Sequence, residues 1–159
     1  MTKFISIVCF LFLNLNASII NFQEEKYIEV IDNTVYKKGT LEFIDKKISL
    51  KYNNSNRILI YENDSLIIND GDDTQSIDLN KQVTLKMIFL LIESINNNNL
   101  KALQEYFEVS TKNKITNLNP KDSLSNYIEN VEFKKDKKLD FITIKMTSGN
   151  ITTIRELND

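Results

Sequence analysis

Hydrophobic and polar residues alternate in short runs between residues 36 and 79, and polar turns separate the runs. This period-two pattern predicts the strands Tyr36–Ile44, Lys47–Tyr52, Arg57–Tyr61, Ser65–Asn69 and Thr74–Leu79. In the second strand Ile48, Leu50 and Tyr52 alternate with polar residues, as in a strand with one buried face. The stretch therefore predicts a meander of antiparallel strands.

The period changes at Gln82, where apolar residues from Leu85 to Ile95 cover nearly every side of a predicted helix. A surface helix keeps a polar side, so a helix that is apolar all round is enclosed by other groups. The enclosing group is a sheet that curls around it, another protein, a lipid or a bound ligand. An ordinary core helix explains the pattern as well as a helix beside a ligand cavity does.

Strands are predicted on both sides of this helix. A strand at Ile19–Ile31 precedes the meander, and a second helix is predicted at Leu100–Phe107. The later strands are predicted at Phe107–Lys112, Lys114–Asn119, Ile128–Lys134, Leu139–Thr147 and Asn150–Leu157. The order of elements predicts an α+β fold, in which helices cover the concave face of a strongly curved antiparallel sheet.

The N-terminus has the three parts of a secretory signal peptide. Lys3 supplies the positive charge, Phe4–Leu13 is an apolar run that contains one polar residue, Ser6, and Ala17 is the small residue before the expected cleavage point. The run is shorter than the roughly 20 apolar residues that span a bilayer. A buried N-terminal helix and an uncleaved anchor are the alternatives. We predict a signal peptide over residues 1–17 and one domain over residues 18–159, because the chain length of 159 residues suits one core.

Composition gives catalysis little support. The chain has no histidine, and its single cysteine, Cys9, lies in the N-terminal apolar run, so the mature protein would lack the commonest general base and metal ligands. A net charge of −2 provides no basic surface for nucleic acid. The acidic cluster around Asp70-Gly71 lacks the calcium-loop pattern and is typical of a hairpin turn. We expect no enzyme activity, no metal, no cofactor and no nucleic-acid partner.

A series of segments resembles a known family in order and spacing. The segments are Phe22–Lys26, Gly39–Phe43, Ile58–Asn63, Ile88–Ile95 with Asn99-Leu100, Leu103 and Phe107, then Leu118-Asn119-Pro120 and Ser148–Thr152. From Phe22 almost to the C-terminus they resemble the LolA-type periplasmic carriers of outer-membrane lipoproteins, particularly the divergent LolA-related branch. Asp45-Lys46-Lys47 stands where those carriers have an Arg-Pro pair, so their arginine latch has no counterpart here.

The resemblance implies an incomplete antiparallel β-barrel closed by helices, with an apolar cavity between sheet and helix. It implies a periplasmic protein that shelters the acyl chains of lipoproteins, or a related lipid, for transfer to the outer membrane. An inner-membrane export complex and an outer-membrane acceptor would be its protein partners, and we expect a monomer.

Alternation and the resemblance together predict the residues that line such a cavity. These are Leu41, Phe43, Ile48, Leu50, Tyr52 and Leu59 on the sheet, and Leu85, Ile88, Phe89 and Ile92 on the helix. The alternative function is a non-catalytic envelope module that binds a protein partner and has no ligand cavity. A tightly filled interior between helix and sheet would favour this module.

Overall fold

The computed structural model describes residues 17–158, which form eleven strands, one α-helix and four short 3-10 segments. The predicted signal peptide lies outside the described residues, apart from Ala17. The strands are β1 (Ser18–Ile28), β2 (Asn33–Ile44), β3 (Lys47–Tyr52), β4 (Arg57–Glu62), β5 (Ser65–Asp70), β6 (Asp73–Asp78), β7 (Phe107–Lys112), β8 (Ile115–Pro120), β9 (Ile128–Lys135), β10 (Leu139–Met146) and β11 (Ile151–Glu156). Helix α1 spans Val83–Asn96, and the 3-10 segments are Glu29–Ile31, Leu79–Lys81, Leu100–Glu105 and Asp122–Asn126.

All the strands join one antiparallel sheet in the order β6-β5-β4-β3-β2-β1-β11-β10-β9-β8-β7. Neighbours in the sheet are neighbours in the chain, except where β1 pairs with β11. At this join Phe22 lies opposite Gly39 of β2 on one side and Glu156 of β11 on the other. The first and last strands therefore connect two meanders at the centre of the sheet.

The predicted strands are confirmed to within one residue, except that β2 begins earlier, at Asn33, and Glu29–Ile31 at the end of the first one forms a 3-10 segment. Local chemistry specifies their hairpins. In β3, Ile48 and Leu50 are buried whereas Ser49 and Lys51 are not, as alternation requires. Asn63 and Asp64 between β4 and β5 both have positive φ, at 51° and 58°. A two-residue turn with positive φ at both positions matches the right-handed twist of the strands that it joins.

The predicted fold class, an α+β incomplete barrel whose concave face is covered by helices, is wrong. Strands hold 57% of the described residues and helical segments 22%, and no pairing between β6 and β7 closes the sheet within residues 17–158. The second predicted helix is the 3-10 segment Leu100–Glu105. A 14-residue helix is about 21 Å long, whereas eleven strands span about 50 Å, so α1 alone cannot cover this sheet.

The core consists of two clusters that both include residues of α1. The N-terminal cluster contains buried residues of β1 to β5 together with Leu79 and Phe89. The C-terminal cluster contains buried residues of β7 to β10 together with Met87, Leu91 and Ile95. Ile154 of β11 packs against both clusters. The two halves of the sheet are thus held together by the central strands and by the helix.

Candidate functional site

Helix α1 is apolar on several sides because it packs against two clusters at once. Phe89 stacks on Tyr61 of β4, with ring centroids 4.9 Å apart and an angle of 3° between the planes. Leu85 and Ile92 pack against the same N-terminal cluster. Met87, Leu91 and Ile95, spaced four residues apart, form the side that belongs to the C-terminal cluster. Residues of the protein itself therefore contact much of the surface of α1. The sequence alone does not specify what these contacts are.

A small cleft remains between α1 and the centre of the sheet. Its lining comes from β1, β2, β9, β10, β11 and the last turns of α1, and it consists of Ile20, Phe22, Leu41, Phe43, Ile92, Ile95, Asn96, Lys135, Leu139, Ile142, Ile154 and Glu156. Its volume is about 40 Å³. One water needs about 10–15 Å³ on this measure, whereas small-molecule pockets measure about 300–1,000 Å³. The cleft is apolar and nearly filled.

Lys135 of β9 caps the C-terminal end of α1 at this cleft. Its Nζ donates hydrogen bonds to the main-chain oxygens of Ile95 and Asn96, at 2.7 and 2.8 Å, and to Oδ1 of Asn98, at 3.1 Å. The last turn of α1 has no basic residue of its own. A helix C-terminus carries unpaired carbonyls and a partial negative charge, which an ammonium group stabilises. Lys135 therefore fastens the helix to the sheet.

Burial lowers the pKa of Lys135, and the carboxylate of Glu156 opposes this effect. Glu156 also lines the cleft, and its Oε2 accepts a hydrogen bond of 2.8 Å from the main-chain nitrogen of Leu139. The few polar groups of the cleft are thus engaged in protein contacts, and its remaining lining is aliphatic or aromatic. The arrangement suits apolar contact with a ligand rather than chemistry on one.

A second lysine attaches the N-terminal half of α1. Lys86 Nζ lies 3.0 Å from Oδ2 of Asp64 in the β4–β5 turn and donates a hydrogen bond of 2.9 Å to Oδ1 of Asn80. Lys86 and Lys135 therefore form polar contacts near the two ends of α1, whereas the middle of the helix makes apolar contacts.

A larger groove lies beside the turn between β3 and β4. It is lined by Gln23, Val35, Tyr36, Lys37, Lys38, Tyr52, Asn53, Asn54, Ser55, Arg57 and Leu59, and its volume is about 930 Å³. Tyr52 Oη donates a hydrogen bond of 2.5 Å to Oε2 of Glu24. Burial raises the pKa of Tyr52, and the bond to the Glu24 carboxylate raises this pKa further.

The predicted lining residues are divided among these places. Leu41, Phe43 and Ile92 line the cleft, whereas Tyr52 and Leu59 line the larger groove. Ile48, Leu50, Leu85 and Phe89 belong to the N-terminal cluster without lining the cleft, and Ile88 packs against the C-terminal cluster. Three of the ten predicted residues therefore lie around the cleft, two line the groove, and the other five lie in the two core clusters.

The residues that the prediction lacks come mainly from the join between the two meanders. Phe22, Ile142 and Ile154 reach the cleft because β1 pairs with β11 and β11 pairs with β10. Alternation marks each of them as an inward position within its own strand. No local pattern indicates that strands so distant in sequence are neighbours.

Among residues 17–158, no group of histidine, cysteine, aspartate and glutamate side chains could hold a metal ion. In the same range, no helix combines the length and the hydropathy that a membrane crossing requires. The chain matches no protein-family model, and a comparison with curated proteins finds no significant match.

Proposed function

We propose that the protein is a non-catalytic periplasmic carrier that shelters acyl chains of lipoproteins, or of a related lipid, for transfer to the outer membrane. The observation that carries this proposal is the apolar cleft between α1 and the central strands, with polar attachments near both ends of the helix. The resemblance of the chain to LolA-type carriers supports it. An inner-membrane export complex and an outer-membrane acceptor would then be the donor and the recipient.

A cleft of about 40 Å³ is too small for an acyl chain, so loading requires α1 to move away from the central strands. Burial of apolar groups drives such an exchange, at about 0.8 kcal/mol for each CH₂ removed from water. A sixteen-carbon chain would contribute roughly 13 kcal/mol on this scale, before the cost of separating helix and sheet. The aliphatic residues of the lining would contact the acyl chain in place of the apolar side chains of α1.

Uptake of a fluorescent dodecanoyl probe by purified protein tests the proposal. We expect saturable binding that Ile92→Glu weakens, because this change places a charge in the lining of the cleft. Val83→Glu introduces the same charge at a side chain that is 46% exposed on the same helix, and it should leave binding unchanged. Circular dichroism of both variants identifies a loss of binding that is caused by unfolding.

Native mass spectrometry provides the second measurement, on protein isolated from the periplasm with and without a co-expressed lipoprotein. A carrier should acquire a mass corresponding to a lipid or lipoprotein. Protein that is empty in both preparations and takes up no probe would contradict the proposal.

One observation favours a second function, an envelope module that binds a protein partner. The interior between α1 and the sheet is almost filled, as such a module requires. Its docking surface would be the helix and a sheet edge. Retention of a specific envelope partner by the Ile92→Glu variant, together with absence of probe uptake by the unmodified protein, would favour this module over the carrier.

A further inference from the structure

We propose that strand β7 pairs with the same strand of a second copy of this chain, so that two sheets join into one antiparallel sheet. The interface is the outer edge of β7 at residues 108–112, which ends the sheet on the side of the C-terminal cluster. It involves neither the cleft under α1 nor the carrier function. A dimer differs from the monomer expected from the sequence, which does not reveal where the sheet ends.

The outer edge of β7 is open to a further strand. β7 pairs with β8 on one side only, and within residues 17–158 no main-chain hydrogen bond outside this pairing involves residues 108–112. Four of these five residues are exposed, and Val109 is half-buried. An edge strand of this kind presents N–H and C=O groups that can pair with another chain.

The β7–β8 hairpin determines which main-chain groups point outward. Asn113 and Lys114 form its two-residue turn, with φ of 52° and 66°, and Lys112 lies opposite Ile115 at the start of the ladder. The residues that flank such a turn are hydrogen-bonded to each other, and hydrogen-bonded pairs then alternate with non-hydrogen-bonded pairs. The main-chain groups at positions 109 and 111 therefore point away from β8.

Two charges of opposite sign lie along this edge. Glu108 and Lys112 are exposed on the same face of β7, with Ser110 between them. Within residues 17–158 neither Glu108 nor Lys112 forms a salt bridge. Four residues of strand separate their Cα atoms by about 14 Å, which is too far for the two side chains to pair with each other. Each charge can therefore accept a partner from another chain.

A second copy in antiparallel orientation supplies both partners. When the two strands are centred on Ser110, Glu108 of each copy lies opposite Lys112 of the other copy. Val109 then lies opposite Thr111 of the other copy, and each such pair exchanges two main-chain hydrogen bonds. The charged residues occupy non-hydrogen-bonded pairs, in which Cα atoms are about 4.5 Å apart and side chains are closest. The edge is thus complementary to itself, as a two-fold symmetric interface requires.

The opposite edge of the sheet, β6, lacks this complementarity. Its charged residues, Asp73 and Asp78, are both acidic and both exposed. An acidic edge repels a second copy of itself, and charges on an edge strand oppose association between edges. Self-association is therefore expected through β7.

Dilution of the protein, followed by amide shifts in NMR spectra and by sedimentation, measures the association. Stable interfaces bury about 1,200–2,000 Å², and five residues of strand edge, about 17 Å long, bury much less. We therefore expect a weak dimer with a Kd of about 0.1–1 mM, and shifts at residues 108–112 that disappear on dilution. Protein that remains monomeric up to about 1 mM would overturn the proposal.

Charge reversal tests the register. Glu108→Lys and Lys112→Glu each place like charges opposite each other, so each variant alone should associate about tenfold more weakly. An equal mixture of the two variants should regain the original affinity as a heterodimer, because the reversed charge of each variant faces an opposite charge of the other. Circular dichroism confirms that both variants fold. A mixture that associates no better than its components would overturn the antiparallel pairing centred on Ser110.

Two further variants test the edge itself. Asp73→Lys, the matched control, makes the same change of charge as Glu108→Lys at the β6 edge and should leave the dimer unchanged. Loss of association in this control would indicate head-to-tail pairing of β6 with β7 and overturn the proposal. Thr111→Pro removes an outward N–H without removing a bond to β8, so it should abolish association. Unchanged association of a folded Thr111→Pro variant would also contradict strand pairing.

Discussion

Replacing Lys135 by methionine tests how firmly the C-terminal end of α1 is held to the sheet. Methionine keeps most of the apolar stem and removes the ammonium group that donates to Ile95, Asn96 and Asn98. The carbonyl groups that lose their donor lie beside the cleft, where Ile95 is 4% exposed. The substitution therefore removes the cap of the helix without removing packing from the core.

The expected cost follows from these contacts. A hydrogen bond to a charged group contributes about 1.5–3 kcal/mol net, and a cation at a helix C-terminus contributes about 0.3–1 kcal/mol. One ammonium serves all three acceptors, and water can reach part of the site, so the terms do not add fully. We expect a loss of about 2 kcal/mol, which corresponds to roughly 4–8 °C in a domain of this size.

Urea denaturation followed by far-ultraviolet circular dichroism measures this loss, since the chain contains no tryptophan to report unfolding by fluorescence. Lys134→Met is the matched control. Lys134 is the preceding residue on β9, its partner is Asp140 at 2.5 Å, and both side chains are well exposed. Exposed ion pairs contribute little to stability. Lys134→Met should therefore lower the free energy of unfolding much less than Lys135→Met.

The carrier proposal adds an expectation about binding. Weakening the cap should favour displacement of α1, so Lys135→Met should take up the dodecanoyl probe faster than the unmodified protein while being less stable. Equal denaturation midpoints for the two lysine variants would refute the stabilising role of Lys135. If Lys135→Met shows the expected loss of stability but takes up the probe no faster than the unmodified protein, movement of α1 is not the step that admits the acyl chain.

Three further predictions concern the N-terminal half of the sheet. Gly39→Ala should destabilise by about 1–3 kcal/mol in thermal unfolding, because a Cβ there would lie 2.5 Å from the main-chain oxygen of Lys51 and 2.8 Å from the Phe22 ring; an unchanged midpoint would show that β3 and the ring both adjust without cost. Phe89→Ala should lower the free energy of unfolding in urea by about 3–5 kcal/mol, because a buried ring is lost. A decrease smaller than that of Lys135→Met would contradict the place of Phe89 in the core. The pKa of Tyr52 is raised above its ordinary value of 10.0 by burial and then by Glu24. The contribution of its hydroxyl to the free energy of unfolding is therefore complete below about pH 10 and is lost as the pH rises further. Unfolding at pH 8 and pH 11 should therefore show a smaller loss of stability for Tyr52→Phe than for the unmodified protein, and equal losses would contradict this assignment.

The strands could be predicted closely because their determinants are local. Alternation identified the buried positions of β3, and paired asparagine and aspartate residues marked the turn between β4 and β5. The fold class was wrong because local patterns do not reveal how many strands one helix must cover. The segment Leu100–Glu105 has helical spacing, yet it is a short 3-10 segment after the asparagine run that ends α1.

The sequence by itself determined which residues face inward, where most strands begin and end, and that α1 is enclosed. Tertiary structure alone decided what encloses it, because β1 pairs with β11 across most of the chain length and brings Phe22 and Ile154 to one cleft. It also decided that Lys135, an unremarkable lysine beside a turn, caps a helix about forty positions earlier. Side-chain alternation is a property of neighbouring residues, whereas strand pairing and helix capping across the sheet depend on contacts between segments that only the folded chain brings together.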